Sequence, residues 1–199
     1  MIRFGFTRRA RKPAPREIIA VKELLADKSI VLVGLMGCGK SAIGKRLAAA
    51  LDLPFVDADD EIEKAAGKSI SEIFEDHGEA EFREGERKVI ARLLTNGPQI
   101  LATGGGAFMD TETRARVAEN GISVWLKADL PVLLRRVARR DNRPLLKNGN
   151  PAEVMEKLMR ERYPTYSEAS IVAESRDVPH EQIVTEIIEK LYDLSPDEK

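Results

Sequence analysis

The sequence predicts an α/β domain of three layers, with helices on both faces of a parallel sheet. Three observations lead there. Short apolar runs rich in β-branched residues, Ile30–Val33 above all, alternate with longer stretches of helical spacing. Such unbroken runs suit strands buried on both faces, which parallel sheets require. The chain has 199 residues, of which 43% are apolar and 33% charged, enough for one domain with a sizeable core.

In order along the chain, Met1–Arg16 stands apart. It holds Arg3, Arg8, Arg9, Arg11, Lys12 and Arg16 with no acid, and Pro13 and Pro15 are expected to keep it from forming a helix. A disordered or loosely docked extension is the main reading, beside a transit peptide or a polyanion-binding arm. Glu17–Ala26 reads as a short amphipathic helix, and residues 1–28 together as an extension preceding the domain proper. Ile30–Val33 is the first strand, and Ser41–Leu51 a helix packing through Ile43, Leu47 and Leu51. Phe55–Val56 is a second strand ending at Asp57. Asp60–Ala66 and Ile70–Phe74 read as short helices around Gly67. A longer helix, Glu79–Leu94, packs through Phe82, Val89, Ile90, Leu93 and Leu94. Ile100–Ala102 is a third strand, Thr111–Glu119 a helix, Ser123–Leu126 a fourth strand and Leu130–Val137 a helix. Asp141–Asn150 is a polar loop. Pro151 opens a helix towards Tyr163, because proline is tolerated in a first turn. Ile171–Ala173 is a fifth strand, Gln182–Leu191 a last amphipathic helix, and residues 195–199 a frayed tail.

Composition excludes several classes. With 32 basic and 33 acidic side chains the net charge is -1, so a strongly basic nucleic-acid binder is not expected. One cysteine, Cys38, excludes a disulfide framework, and two separated histidines, His77 and His180, give poor support to a zinc site. No apolar run approaches the roughly 18 residues of a membrane span, and no long apolar stretch follows the N-terminal charges as in a secretory signal.

Gly34-Leu35-Met36-Gly37-Cys38-Gly39-Lys40-Ser41 fits GxxxxGK[ST] between a strand and a helix. Its glycines let successive backbone N–H groups turn towards phosphate, and the following helix adds its positive end. The nucleotide phosphates are therefore expected at Gly37, Cys38, Gly39, Lys40, Ser41 and Ala42. Lys40 is placed to reach the β and γ phosphates, and Ser41 to ligate Mg2+. No N-K-x-D segment signals guanine selectivity. The motif alone serves ATPases, GTPases and small-molecule kinases alike.

Asp57 and Asp59 flank Ala58 at the end of the second strand. On an extended segment positions two apart share a side, so both are expected in the cleft. One holds Mg2+ through water and the other orients a substrate hydroxyl. Asp60 and Glu61 turn into the next helix as N-terminal charges. Thr103-Gly104-Gly105-Gly106 ends the third strand and offers bare amides to an anionic or hydroxylated ligand. Arg83, with Glu86 one turn on, Arg143 in the polar loop, and Arg162 at a helix end form a set suited to a carboxylate substrate beside the nucleotide. Cys38, near a helix N-terminus and Lys40, has a setting that favours thiolate. Filling of the loop by a small residue is the main reading, and alkylation is expected to block ATP binding. Trp125 reads as core.

Taken together these residues resemble the shikimate kinase family from about Ile30 to about Leu191. The resemblance rests on the Gly34–Ser41 loop, Val56-Asp57-Ala58-Asp59, Glu81-Phe82-Arg83, Glu86, Gly104-Gly105-Gly106, Arg143-Pro144-Leu145-Leu146 and Arg162-x-x-x-Tyr166, in that order. It implies a fold similar to nucleoside monophosphate kinases, with a five-stranded parallel sheet in the order 2-3-1-4-5. The kinase-like domain would span 29–194, its substrate-binding subregion 60–86 and its lid 138–150.

The implied activity is transfer of the γ-phosphoryl of ATP to the 3-hydroxyl of shikimate, giving shikimate 3-phosphate and ADP on the way to chorismate and the aromatic amino acids. Asp59 would hold the acceptor hydroxyl and take its proton. Arg83, Arg162 and the amides of Gly104–Gly106 would bind shikimate, with Glu86 orienting Arg83. Ser41 directly and Asp57 through water would hold Mg2+. Lys40 and Arg143 would neutralise charge on the phosphates, so that Asp59, Lys40 and Arg143 form the catalytic set. Arg136 would lie against adenine, with Arg139 and Arg140 as rivals. The resemblance also implies a cytoplasmic monomer, whose partners are ATP and shikimate. Two rivals stand beside this reading: another small-molecule kinase, such as a gluconate kinase, and a nucleotide-dependent regulatory module without catalysis.

Overall fold

In the computed structural model, residues 11–138 and 150–195 are described. The sheet holds five parallel strands, β1 (Ser29–Val33), β2 (Phe55–Asp57), β3 (Ile100–Ala102), β4 (Gly121–Lys127) and β5 (Ile171–Glu174). Their order is β2-β3-β1-β4-β5, the expected topology. β1 is central and every one of its five residues is buried, which explains its continuous apolar sequence. Its register aligns Leu32 with Ala102 on one side and Val33 with Trp125 on the other. The loops after β1, β3 and β4 therefore leave the sheet at one common edge.

Eight α-helices cover the sheet among the described residues: α1 (Pro15–Leu25), α2 (Lys40–Leu51), α3 (Ala58–Ala66), α4 (Ile70–Leu94), α5 (Thr111–Asn120), α6 (Leu130–Val137), α7 (Pro151–Tyr166) and α8 (His180–Tyr192). Helices α1, α2 and α8 pack together, α4 packs on α3 and α5, and α6 packs on α7. One apolar core runs through all of them, from Val21 and Leu25 on α1 to Ile183, Ile187 and Leu191 on α8. No helix among the described residues is long and apolar enough to cross a membrane.

Four local expectations change. Pro15 opens α1 instead of preventing it, because the first helical position needs no N–H donor. α3 starts at Ala58, so Asp59 lies in a first helical turn and not on an extended segment. The expected helix Ile70–Phe74 extends to a kink at Gly78, whose φ of 79° and ψ of 178° are non-helical, and beyond it the expected helix Glu79–Leu94 completes α4. Pro164 lies inside the last turn of α7 without ending it, which carries that helix to Tyr166.

The N-terminal segment is docked from residue 11 onward. Arg11 pairs with Glu17 at 2.5 Å and with Glu189 of α8 at 3.3 Å. Its carbonyl accepts a hydrogen bond from Thr185 Oγ1 at 2.9 Å. Glu17 is only 5% exposed and also accepts from the Ala14 amide, closing the first turn of α1. Its carboxyl is held below the usual range, because the Ala14 amide and Arg11 outweigh the burial that opposes ionisation. From residue 11 on the segment is thus docked, and a cut at Glu17 removes the partners of a buried carboxylate. Truncation at Glu17 is expected to lower Tm by about 2–4 °C while the specific activity of the folded protein persists. Thermal melts of the truncated and Arg11→Ala proteins, beside initial rates, check this.

Candidate active site

The strand edge becomes a site because three turns and one helix end open onto it. β1 delivers the chain into Gly34, whose φ of 137° only glycine adopts readily. A side chain there would also meet the Leu126 carbonyl at 2.8 Å. The loop then curls over its own carbonyls. Lys40 Nζ donates to the carbonyls of Gly34 at 2.7 Å and Leu35 at 3.1 Å. Cys38 is 1% exposed, and its Sγ lies against Gly34. The thiol therefore packs the underside of the loop, as the small-residue reading holds.

Asp57 ends β2 and caps α3, its Oδ1 accepting from the Asp59 amide at 3.2 Å. Its other oxygen accepts from Ser41 Oγ at 2.8 Å, joining the start of α2 to the end of β2. Asp59, one helical step further, reaches the cleft by helix geometry and not by strand alternation. Gly104 lies against it, since a Cβ there would be 3.0 Å from Asp59 Oδ1. Burial, with the Asp57 charge second, pushes the Asp59 carboxyl from its ordinary 3.8 up to about 6, against the opposing pull of Lys40.

The arginines converge where the sequence places them apart. Arg83 Nη1 donates to Glu86 Oε2 at 2.6 Å, an i,i+3 pair on α4. Glu86 is 2% exposed, and its second oxygen has no hydrogen-bond partner and lies against Gly104. Burial raises its carboxyl pKa, opposed by the charges of Arg83 and Arg162. Arg162 Nη1 donates to the Gly105 carbonyl at 2.9 Å. Tyr166, four residues on and hence on the same face of α7, donates its hydroxyl to the same oxygen. The glycine turn is thus fixed from behind by α7 and pressed by Arg83, whose guanidinium would lie 2.6 Å from a Cβ at Gly106. Sequence reading missed the part of Tyr166 in holding this turn, although the i,i+4 spacing from Arg162 was visible. It also missed the short 3-10 turn Ala107–Met109 that follows.

Asp57, Asp59, Gly104 and Gly105 line one cleft of about 1380 Å³ that runs from Ser69–Ser71 to the phosphate loop and on to Arg136, Val178 and His180, while Arg83, Glu86 and Arg162 back its glycine turn. Arg136 stands at the far end of the loop. Its Nη1 donates to Ser175 Oγ at 2.8 Å and to the Cys38 carbonyl at 3.3 Å, and Nη2 to the Arg176 carbonyl at 2.8 Å. Arg143, and the rivals Arg139 and Arg140, lie outside the described residues. So does all of the expected lid but its ends, Ala138 and Asn150. The described residues contain no cluster of three or more His, Cys, Asp or Glu arranged for a metal. The oxygen pair of Ser41 and Asp57 nevertheless fits Mg2+, which commonly takes one or two protein oxygens and completes its shell with water and phosphate.

A P-loop phosphotransferase acting on a small acceptor is the class that this fold and cleft define. The family model described as shikimate kinase matches residues 36–192. A shikimate kinase of Rhodopseudomonas palustris is 56% identical over 92% of this chain and 89% of its own length. One of Bradyrhizobium diazoefficiens is 61% identical over 84% of this chain and 81% of its own. Among solved structures, the shikimate kinase from Acinetobacter baumannii in complex with shikimate superposes with a TM-score of 0.80 at 36% identity, covering 90% of this chain and 99% of that one. A gluconokinase from Sinorhizobium meliloti reaches a TM-score of 0.58 at 20% identity, a likeness of fold alone. The chain belongs to the shikimate kinase family.

The raised Asp59 carboxyl has a consequence for stability. The folded chain binds this proton more tightly than the unfolded chain does. The resulting stabilisation is full below the unfolded value of 3.8 and is lost as pH rises through about 6. Asp59→Asn imitates the protonated form. In metal-free protein it is expected to melt a few degrees higher than the parent above pH ~7, with no gain near pH ~4. Paired thermal melts across that range check the sign.

Proposed function

We infer that the protein is a working shikimate kinase, transferring the γ-phosphoryl of ATP to the 3-hydroxyl of shikimate to give shikimate 3-phosphate and ADP. The observation that carries this reading is that Asp59, Gly104 and Gly105 line one cleft with the phosphate loop, while Glu86, Arg162 and Arg83 pack against Gly104, Gly105 and Gly106 of that glycine turn. An acceptor with a carboxylate and several hydroxyls suits that end, because two guanidinium groups and bare glycine backbone recognise the anion.

Phosphoryl transfer through a loose transition state depends on positioning and on charge stabilisation more than on a strong base. Asp59 receives the acceptor hydroxyl and takes its proton as the new P–O bond forms. A carboxyl poised near 6 is ionised at neutral pH yet basic enough for that task. Lys40 exchanges the loop carbonyls of Gly34 and Leu35 for phosphate oxygens. The amides of Gly37, Cys38, Gly39, Lys40, Ser41 and Ala42 supply the rest of the phosphate cradle. Ser41 and Asp57 would hold Mg2+, which would supply positive charge to the phosphates when bound. Arg83 and Arg162 bind the shikimate carboxylate, Glu86 fixes Arg83, and Gly104, Gly105 and Gly106 form the floor. Arg143, outside the described residues, is assigned with Lys40 to neutralising charge on the phosphates as the group transfers. Arg136 keeps the face of its guanidinium for adenine, since its N–H edge is spent on Ser175 and on backbone carbonyls. The kinase unit is taken as 29–194, with α1 packed on its α8 face. It is placed in the cytoplasm, where ATP is at hand, and works as a single chain.

The direct test is ADP formation from Mg-ATP with shikimate, with gluconate as the comparison acceptor, and the product read by mass. Strong stimulation by shikimate alone and a gain of one phosphate are expected. Stimulation by gluconate alone would overturn the acceptor, and nucleotide binding without transfer to either would favour a regulatory module. Asp59→Asn is expected to lower kcat by about 10²–10⁴-fold with ATP affinity nearly unchanged. In the parent, kcat/KM should fall as pH drops through about 6. Gly106→Ala displaces the flexible Arg83 tip and not the backbone. Its KM for shikimate should rise roughly tenfold, equivalent to about 1.4 kcal/mol, with Tm little changed; steady-state kinetics with each substrate varied separates these effects.

A further inference from the structure

Ser175 follows directly on β5 and lies behind the cleft wall, 2% exposed. Its hydroxyl donates to the Cys38 carbonyl at 2.6 Å and accepts from Arg136 Nη1 at 2.8 Å. Its amide donates to the Lys127 carbonyl at 2.6 Å, fixing its height on the sheet. One buried hydroxyl therefore joins three separate parts of the nucleotide end. They are the phosphate loop through Cys38, α6 through Arg136, and the segment 175–180, of which Asp177, Val178 and His180 line the cleft. Arg136 reinforces the junction by reaching the Cys38 carbonyl at 3.3 Å and the Arg176 carbonyl at 2.8 Å. A buried hydroxyl used as donor and acceptor at once resists displacement of either neighbour, because moving one strands a polar group away from water.

We propose that Ser175 is a positioning residue for the nucleotide, setting the spacing between the phosphate loop and the opposite wall at 176–180. The inference rests on the ATP reading above. A ligand that spans both places is gripped at two points held at a fixed separation, and so benefits from preorganisation. A ligand consisting of phosphates alone touches only the loop and is indifferent to that separation. Ser175 acts through its neighbours and does not touch the reacting groups.

The test compares the parent with Ser175→Ala in steady-state kinetics, with inorganic tripolyphosphate as a competitor against ATP. KM for ATP should rise about 5- to 10-fold, as for loss of one buried hydrogen bond. KM for shikimate and the inhibition constant of tripolyphosphate should stay within about twofold. If Ser175→Ala does not fold, the same ATP-selective pattern is expected of Ser175→Cys, which keeps the volume but donates weakly. Equal weakening of ATP and tripolyphosphate would overturn the inference, showing that Ser175 shapes the loop alone. A lowered Tm with unchanged KM for ATP would overturn it too, reducing Ser175 to packing. Turnover of the parent is the control: its absence overturns the ATP reading together with this inference, whereas the other two failures strike Ser175 only.

Discussion

The rest of the molecule depends on the burial of β1 between β3 and β4. A strand covered on both faces and paired on both edges has no freedom of register. Its pairing of Leu32 with Ala102 and of Val33 with Trp125 decides where the neighbouring strands end. Because all the strands are parallel, their C-terminal ends gather at one edge, the place where open α/β sheets bind ligands. The phosphate loop, the glycine turn and the start of α6 are brought together by this alignment before any polar side chain takes part. The polar contacts then hold what the register has placed: Ser41 to Asp57 across two strands, and Arg162 and Tyr166 to the Gly105 carbonyl.

Much of this was legible in the chain. The alternation of apolar runs and helical spacing gave the layers, and the Gly34–Ser41 motif gave the phosphate end, because both signals are local and periodic. The strand order came through the family resemblance, since spacing alone does not say which strands are neighbours. Asp57 and Asp59 were correctly paired in the cleft but by an incorrect route. The reading extended the strand past Asp57, whereas Asp57 caps α3 and Asp59 sits in its first turn. Both residues line the cleft all the same, so the route does not alter the pairing. The break at Gly78 is legible as the gap between two helices, and the structure places a kink there.

What stayed hidden was mostly tertiary. A basic stretch with two prolines reads as loose chain, and nothing local reveals that Arg11 meets a glutamate 178 positions away on α8. The unpaired oxygen of Glu86, its contact with Gly104, and the shared use of the Gly105 carbonyl belong to the same class. Each depends on residues from separate elements, and so on the completed fold. A spacing such as Arg162 to Tyr166 gives a common helix face but not the object that the face meets.

The joint at Gly78 bears on how the molecule opens. A Cβ at Gly78 would meet nothing within 4 Å, so only the backbone angle reserves that position for glycine. Before it, Ile73 is the buried residue of the helix and Phe74 is 37% exposed; after it, Phe82, Glu86, Val89, Ile90, Leu93 and Leu94 are all buried. Two segments so unequally anchored, and parted by a break in the helical ladder, form separate units of local unfolding. Amide protons before the joint are expected to exchange through a smaller opening than those in the deeper half. The arm whose start lines the cleft is thus the less anchored half, tied across the joint by the contact of Phe74 with Phe82 at 4.6 Å, and the Arg83–Glu86 pair lies on the deeper side.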